Sequence, residues 1–469
     1  MARDLRVSGS AFKTLENVEA FMTKNKLWPR PINPFVLKKH ACRDKDADDA
    51  YGHIIVGCSG GCDSVALTLI LYMLTRPRQI RLHIAHVDHR LRPESPLDTD
   101  LVRRLAAELG VPFYLLRADV EGFSKFRKLG IEAAAREIRY FWFDDIRHNL
   151  IQGRMPIRNR VLNAEELLEL AVLRHRRRKA LYRQLNYPEF YELVEEAGEK
   201  PFIPHLGVFK EDPLPRRGYE ALIAVGHHME DQAETVLMNM GRGSGLDGVI
   251  AMEPRRNFLI RPLLNTSKAE LSALIEQLQF GWREDGTNEQ PHWRRNRVRN
   301  EVLPLLADIF GGDITRRIAR LAQNTRPVGE YLEAEVDKYY PKVFRLYPKK
   351  GKDRMKFNMN IVLPIGNWTF DADDYYYLYG IVSEWRKLPY IIKIELLRRQ
   401  YEVMLGSNQN LSSMQIDQMF NILYSSNVLS TLDLADDNKF IRCGNLFVIY
   451  PNDQEHLGPY GEEAGEIVL

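Results

Sequence analysis

From Tyr51 onward, short apolar runs alternate with longer amphipathic ones. HIIVG (53–57) predicts a buried strand, VALTLILYML (65–74) a helix apolar nearly all round, and IRLHIAHVD (80–88) a second strand. LDTDLVRRLAAELG (97–110) has helical spacing and a closing Gly110. VPFYLLRA (111–118) predicts a third strand and IEAAAREIRYFWFDDIRHNL (131–150) a helix. YEALIAVGHH (219–228) and DQAETVLMNMGR (231–242) repeat the pair. Strands alternating with helices predict a parallel sheet covered on both faces, an α/β fold.

The rhythm breaks in three places. Residues 1–50 are polar and irregular, with one short helix near 11–25. Residues 150–218 read as an insertion in a surface loop, with a helical stretch AEELLELAVLRH, a basic run RHRRRK (174–179) and an acidic segment. After Pro262 the alternation stops. SKAELSALIEQLQF (267–280) predicts a helix opened by a Ser267–Glu270 capping box. RNEVLPLLADIF (299–310), 314–340, 371–404 and 412–424 predict further helices, so the C-terminal region is expected to be mainly helical. STLDLADDNKFIRCGNLFVIYP (430–451) predicts a hairpin or small sheet, and GEEAGEIVL a disordered acidic tail.

Charge narrows the function classes. Sixty-six Lys+Arg against 63 Asp+Glu leave a net charge of +3, so any affinity for nucleic acid must come from local patches. Cys42, Cys58, Cys62 and Cys443 contain no C-x-x-C pair, which argues against a zinc ribbon or a cysteine-held cluster. The longest apolar stretch is too short to span a bilayer. The N-terminus lacks an apolar secretory core. The expected compartment is the cell interior: the cytoplasm, or the mitochondrial matrix if the source is eukaryotic.

The strongest chemical signal is Ser59-Gly60-Gly61-Cys62-Asp63-Ser64, placed between a strand and a helix. Paired glycines let backbone N–H groups approach an anion, and the helix start adds partial positive charge. Ser59 and Ser64 can donate hydroxyl hydrogen bonds to phosphate oxygens. Asp63 would repel a bare phosphate, so its expected work is to hold Mg²⁺. No Gly-Lys-Ser/Thr follows, which excludes a Walker A loop. His86 and Asp88 end the second strand, and His227 the fourth, where open α/β sheets border their ligands. Arg136 and Arg139 share a helix face, as do Asp231 and Glu234. Taken alone, each of these pairs also reads as a solvated helix face or a dipole complement.

The SGGxDS loop resembles that of the PP-loop (N-type) ATP pyrophosphatases. HVDHRLRPES (86–95), EAAAREIRY (132–140), GHHMEDQAETVLMNMGRGSGLDG (226–248) and RRNRVRNEVLPLL (294–306) occur in the order of the tRNA(Ile)-lysidine synthetase family. The resemblance is specific over about 51–149 and 219–310 and loose beyond 310. It implies a Rossmann-like PP-loop ATPase domain over 51–265, interrupted by the insertion. A helical linker or substrate region at 266–340 and a C-terminal tRNA-binding domain at 341–469 would follow, with 1–50 as an N-terminal extension. It further implies that ATP adenylates C2–O of the first anticodon cytidine of an isoleucine tRNA, after which free lysine displaces AMP. Ser59, Gly60, Gly61, Cys62, Asp63, Ser64, His86, Asp88 and His227 would then hold the nucleotide, with Asp63 as the Mg²⁺ ligand. Asp63, Arg136, Asp231 and Glu234 would carry the chemistry, Asp231 and Glu234 by binding metal, orienting lysine or accepting its proton.

A base that meets ATP must leave its stack, so cations and aromatics are expected around it. Arg294, Arg295, Arg297 and Arg299, next to Trp293, are the expected tRNA contacts. The same residues could instead tie their helix to the catalytic domain. RHRRRK and YPKKGKDRMK (347–356) are further basic candidates. A homodimer stays open, and the extension and insertion hint at a eukaryotic organellar protein. The rival readings are another PP-loop tRNA-modifying enzyme, such as a thiolase, and a degenerate RNA-binding protein without catalysis.

Overall fold

The computed structural model describes residues 5–30, 52–78, 80–169, 220–283, 294–346, 378–405, 411–434 and 438–451. Two compact units make up the chain: Met1–His175 with Asp212–Gly329, and Arg176–Glu211 with Glu330–Leu469. This division differs from the one expected at 50, 265 and 340. The runs RHRRRK and YPKKGKDRMK, residue Trp293 and the acidic tail lie outside the described residues.

The first unit begins with α1 (Gly9–Lys24), followed by β1 (His53–Gly57), α2 (Cys62–Thr75), β2 (Arg81–Asp88), α3 (Ser95–Leu109) and β3 (Phe113–Ala118). Then come α4 (Val120–Arg127), α5 (Ile131–Ile151), β4 (Asn159–Leu162), β5 (Ala221–Ala224), α6 (Met229–Met240) and α7 (Leu246–Ile250). A small hairpin, β6 (Arg255–Arg256) with β7 (Leu259–Ile260), precedes α8 (Lys268–Leu278). The seven strands lie in the order β4-β3-β2-β1-β5-β7-β6, all parallel except the β6–β7 pair. The chain builds outward from β1 to β4 on one side, then returns to place β5 on the other side of β1. That reversal is a topological switch point, and ligands of such sheets bind outside the strand carboxyl ends beside it.

The apolar runs form these elements because both faces of the sheet are covered. Ile54 and Val56 of β1 point into one core with α2, α3, α8 and α1, while Ile55 points into the other with α4 and α5. Helix α2 is buried nearly all round, as its unbroken hydrophobicity requires, with α8 against its far side. The capping box expected at α8 is present: Ser267 Oγ accepts from Glu270 N–H while the Glu270 carboxylate accepts from Ser267 N–H.

Two expectations change. Residues 1–50 are not a loose extension throughout, because Ala11, Val18, Phe21, Met22 and Leu27 join the first core and α1 packs on α8. The insertion begins with an edge strand, since β4 pairs with β3 from Leu115↔Asn159 to Ala118↔Leu162. A four-residue strand with only Leu162 buried carries too little apolar pattern to be read from sequence.

The sequence 294–310 is helical but interrupted. Helix α9 (Arg294–Arg297) passes through a π-helical turn, Val298–Val302, into α10 (Leu303–Phe310), and α11 (Ile314–Val343) follows. The second unit holds β8 (Phe344–Leu346), β9 (Leu378–Ile381), α12 (Val382–Arg386), α13 (Tyr390–Leu405), α14 (Ser413–Tyr424), β10 (Leu429–Asp433), β11 (Asn438–Cys443) and β12 (Leu446–Pro451). Its antiparallel sheet runs β10-β11-β12-β9-β8 and carries the expected terminal hairpin. Trp385, Leu396, Leu397, Phe440 and Phe447 centre its core. Among the described residues no helix is long and apolar enough to cross a membrane.

Candidate active site

The loop after β1 is held by its own hydroxyl groups. Ser64 Oγ accepts from Ser59 N–H at 3.1 Å and Gly60 N–H at 3.2 Å and donates to Gly61 C=O at 2.9 Å. Ser64 therefore shapes the loop from inside, while Ser59 Oγ sits 3.2 Å from it on the cleft side. Gly60 has φ +95°, a conformation a side chain would strain. Arg283 N–H donates to Gly60 C=O at 3.0 Å, and its guanidinium reaches Asp98 at 2.7 Å, bracing the loop from outside the motif. Cys62 turns away, with Sγ 3.4 Å from Ser272 Oγ on α8, so only its backbone faces the anion position.

These residues open on a cleft of about 430 Å³. Ser59, Gly61, Asp63, His86, Asp88, Arg136, Arg139, His227 and Asp231 all line it, at the switch point that the topology singles out. Arg136 and Arg139 do share the expected face of α5.

His86 is a neutral brace. Its Nδ1 lies 2.8 Å from Cys58 C=O and its Nε2 3.1 Å from Thr99 Oγ1, and burial pushes its pKa down. Asp88 Oδ1 accepts from Arg90 N–H at 3.0 Å, ordering the turn after β2. His227 is half-buried at the cleft, and its Nδ1 is buried with no hydrogen-bond partner. Burial outweighs the attraction of Asp231 and takes its pKa to about 3, so the ring is neutral.

The neighbouring His228 behaves in the opposite way. Burial opposes its charge, yet hydrogen bonds to Asp63 and Glu230 and the charge of Asp231 outweigh it, pushing the pKa up to about 10. Its Nδ1 is 2.8 Å from Glu230, and its Nε2 is 3.5 Å from both Asp63 Oδ2 and Asp231 Oδ2. The sequence reading assigned this residue no role. A signal was present: a histidine at a helix start, followed two and three residues later by acids, has its counter-charges supplied locally. Gly226 makes the approach possible, because a Cβ there would meet the Asp63 backbone carbonyl at 3.2 Å.

Asp63 presents the site's uncommitted oxygen. Its Oδ2 faces His228, whereas its Oδ1 is buried without a hydrogen-bond partner. An orphaned carboxylate oxygen beside an anion loop fits a cation that a nucleotide would bring, since Mg²⁺ needs only one or two carboxylates when phosphates supply other ligands.

Asp231 and Glu234 share one face of α6, as expected, but that face meets α9 and the π-helical turn that follows it. Glu234 is fully buried. Its two oxygens accept from Arg295 Nε at 2.7 Å and Arg299 Nε at 2.5 Å. Asp231 Oδ1 accepts from Arg295 Nη2 at 2.9 Å, and its Oδ2 from His228 N–H at 3.0 Å. Burial raises the Asp231 pKa, but His228 and Arg295 overcome it, and the carboxylate is held below its ordinary range. Among the expected tRNA contacts, Arg295 and Arg299 are thus engaged in this clamp. Arg294 is exposed, and Arg297 is exposed and paired with Glu301 one turn on. Asp231 remains on the cleft wall, while Glu234 lies behind it.

Residues 38–183 and 212–306, just over half of the chain, match the PP-loop domain family. The chain is 27% identical over 286 residues to a tRNA(Ile)-lysidine synthase of Chlorobaculum tepidum, covering 61% of this chain and 66% of that protein. It is 23% identical over 403 residues to the tRNA(Ile)-lysidine synthase of Clostridioides difficile (86% and 67%). It is 30% identical over 271 residues to that of Parabacteroides distasonis (58% and 45%). In these alignments the chain spans about half to two thirds of the length of its relatives. All three are bacterial proteins, which leaves the mitochondrial expectation without support. A solved U34-tRNA thiolase from Methanococcus maripaludis shows only a weak likeness, with TM-score 0.34 and 14% identity over 65% of this chain and 80% of that one; nothing rests on it. With the loop, its braces and the switch-point cleft in place, the match over half of the sequence establishes that this chain belongs to the PP-loop domain family.

Proposed function

We propose that this protein uses ATP to attach lysine to C2 of the first anticodon cytidine of an isoleucine tRNA with a CAU anticodon, giving lysidine, AMP and pyrophosphate. The observation that carries this reading is the convergence of the Ser59–Ser64 loop, Arg136 and Asp231 on one cleft, in a chain similar to proteins named for that activity.

In the first step the C2 oxygen of the cytidine attacks the α-phosphorus of ATP, and the bond to pyrophosphate breaks. Charge grows on the departing phosphates. The N–H groups at the start of α2, Ser59 Oγ and the Arg136 guanidinium, which line the same cleft, would offset that charge. Asp63 would hold Mg²⁺ through its free oxygen, and that ion supplies further charge neutralisation for the phosphates. His228 keeps Asp63 from turning away.

In the second step the ε-nitrogen of lysine, after its ammonium group gives a proton to solvent, bonds to C2; the C2–O bond breaks, AMP leaves with the former C2 oxygen, and the remaining amine proton also passes to solvent. Lysine arrives mostly as an ammonium ion, which favours a carboxylate on the cleft wall. Asp231 is that carboxylate, kept ionised by His228 and Arg295. Glu234 supports it by fixing Arg295 and Arg299 rather than by touching the amine. We read Arg294 and Arg297, exposed on α9, as contacts for tRNA phosphates, and a homodimer is compatible with this reading but not required by it.

The test is incorporation of labelled lysine into a CAU isoleucine tRNA transcript with ATP present and omitted. Stoichiometric, ATP-dependent labelling that disappears when the first anticodon cytidine is replaced supports the reading. Pyrophosphate release with another RNA or acceptor, and no labelling, overturns it.

A further inference from the structure

Arg90 follows β2 by two residues and lines the cleft together with His89, Leu91 and Arg92. It is exposed, and its backbone has φ +54°. That left-handed conformation strains a residue with a Cβ. Among the described residues, the other non-glycines with positive φ serve the course of the chain. Lys26, Lys128, Ala251 and Gln279 stand at or just past helix ends, and Asn257 turns the β6–β7 hairpin. Arg90 ends no helix and joins no hairpin.

The strain is held in place by the site itself. Asp88 is buried; its Oδ1 accepts from Arg90 N–H at 3.0 Å, and its Oδ2 lies 3.8 Å from Arg117 Nε on β3. Both oxygens are thus committed, and the Arg90 guanidinium has no carboxylate partner among the described residues. Other arginines of the cleft differ. Arg92 and Arg283 both reach Asp98, at 3.2 and 2.7 Å, and Arg136 lies 5.2 Å from the centre of the Tyr140 ring. Strain kept at a cleft wall in order to display an unneutralised cation calls for an anionic ligand. Leu91, 41% exposed beside it on the same wall, offers apolar contact to a sugar or base, which a small free anion would not use.

We infer that the turn after β2 is a further substrate contact, in which the Arg90 guanidinium binds a phosphate group of the RNA backbone or of the nucleotide. RNA is the expected source, because an exposed side chain meets the larger ligand. The inference rests on the proposed reading for the identity of the RNA, but not for the existence of the contact.

Arg90→Gly removes the charge and relieves the backbone; Arg90→Lys keeps both the charge and the strain. Each variant is compared with the unaltered protein in thermal unfolding, in binding of ATP alone, and in binding of a CAU isoleucine tRNA transcript across a salt titration. For Arg90→Gly the expected result is a melting temperature unchanged or raised, with tRNA affinity lowered roughly tenfold at low salt and a salt slope shallower by about one. Arg90→Lys should retain most of that affinity, since a phosphate still meets a cation. Loss in the ATP arm assigns the phosphate to the nucleotide instead. Equal affinity of Arg90→Gly in both arms overturns the contact, and so does a loss that merely tracks a lowered melting temperature in both variants. Neither binding arm reads lysine incorporation, so a protein that binds through Arg90 yet labels no tRNA keeps the contact and sinks the lysidine assignment.

Discussion

Two histidine sites, one at each end of the central sheet, show opposite charge states. At the amino end His53 Nδ1 lies 3.0 Å from His83 Nε2, and Tyr114 Oη lies 3.4 Å from His83 Nδ1. Burial and nearby Arg81 bring these two histidines down to about 4 and about 3, so the network is neutral. At the carboxyl end His228 is as deeply buried, yet it is charged, because Asp63, Glu230 and Asp231 surround it. Burial alone does not decide the state of a histidine; the carboxylates it meets do. The neutral end fills space and satisfies donors. The charged end sets an acidic group against an anion loop and leaves one of its oxygens free.

That contrast can be broken most sharply at Asp63. Asp63→Asn should lower ATP- and tRNA-dependent pyrophosphate release by roughly a thousandfold while the melting temperature hardly moves, because the side chain is partly exposed on the cleft. Full turnover in that variant would remove Asp63 from the chemistry.

Glu234 tests the other side of the same cluster. Glu234→Gln leaves two guanidinium groups facing a buried neutral amide, which should cost about 3–5 kcal/mol in chemical denaturation. A near-native denaturation midpoint would show that Arg295 and Arg299 do not depend on it.

The neutral end has a pH signature. Unfolded histidine takes up a proton near 6.5, whereas folded His53 and His83 resist it down to about 4 and about 3. Stability is then complete above pH 6.5 and falls as the pH drops from there toward 4. Melting temperatures measured between pH 7 and 4 should show this loss, and a His53→Asn, His83→Asn double variant should flatten the slope whatever its absolute stability.

The smallest effect is expected at Arg297, where an exposed pair with Glu301 adds little to the fold. Arg297→Ala should leave the melting temperature unchanged yet weaken tRNA binding at low salt. Equal tRNA affinity at every salt concentration would take Arg297 out of the RNA contact.

Much of this site is readable from neighbouring residues. The loop at 59–64 sits between an apolar run of strand length and one of helix length, so its place at a strand end follows from the pattern alone. The capping box at Ser267, the Gly110 stop and the shared faces of Arg136 with Arg139 and Asp231 with Glu234 are spacings of three or four residues within one element. The repeated strand–helix alternation likewise determines a parallel sheet with two covered faces.

Tertiary structure decided where the charges went. Arg295 and Arg299 look like free cations in sequence, but they meet Glu234 from 61 and 65 residues away. Arg283 reaches Asp98 across 185 residues to brace the loop. Residues 9–24 look polar, but their few apolar positions find α8. Local pattern reports the period of an element and therefore its type. Which charges cancel depends on contacts between elements far apart in the chain, and burial then amplifies those contacts into the difference between a neutral His83 and a charged His228.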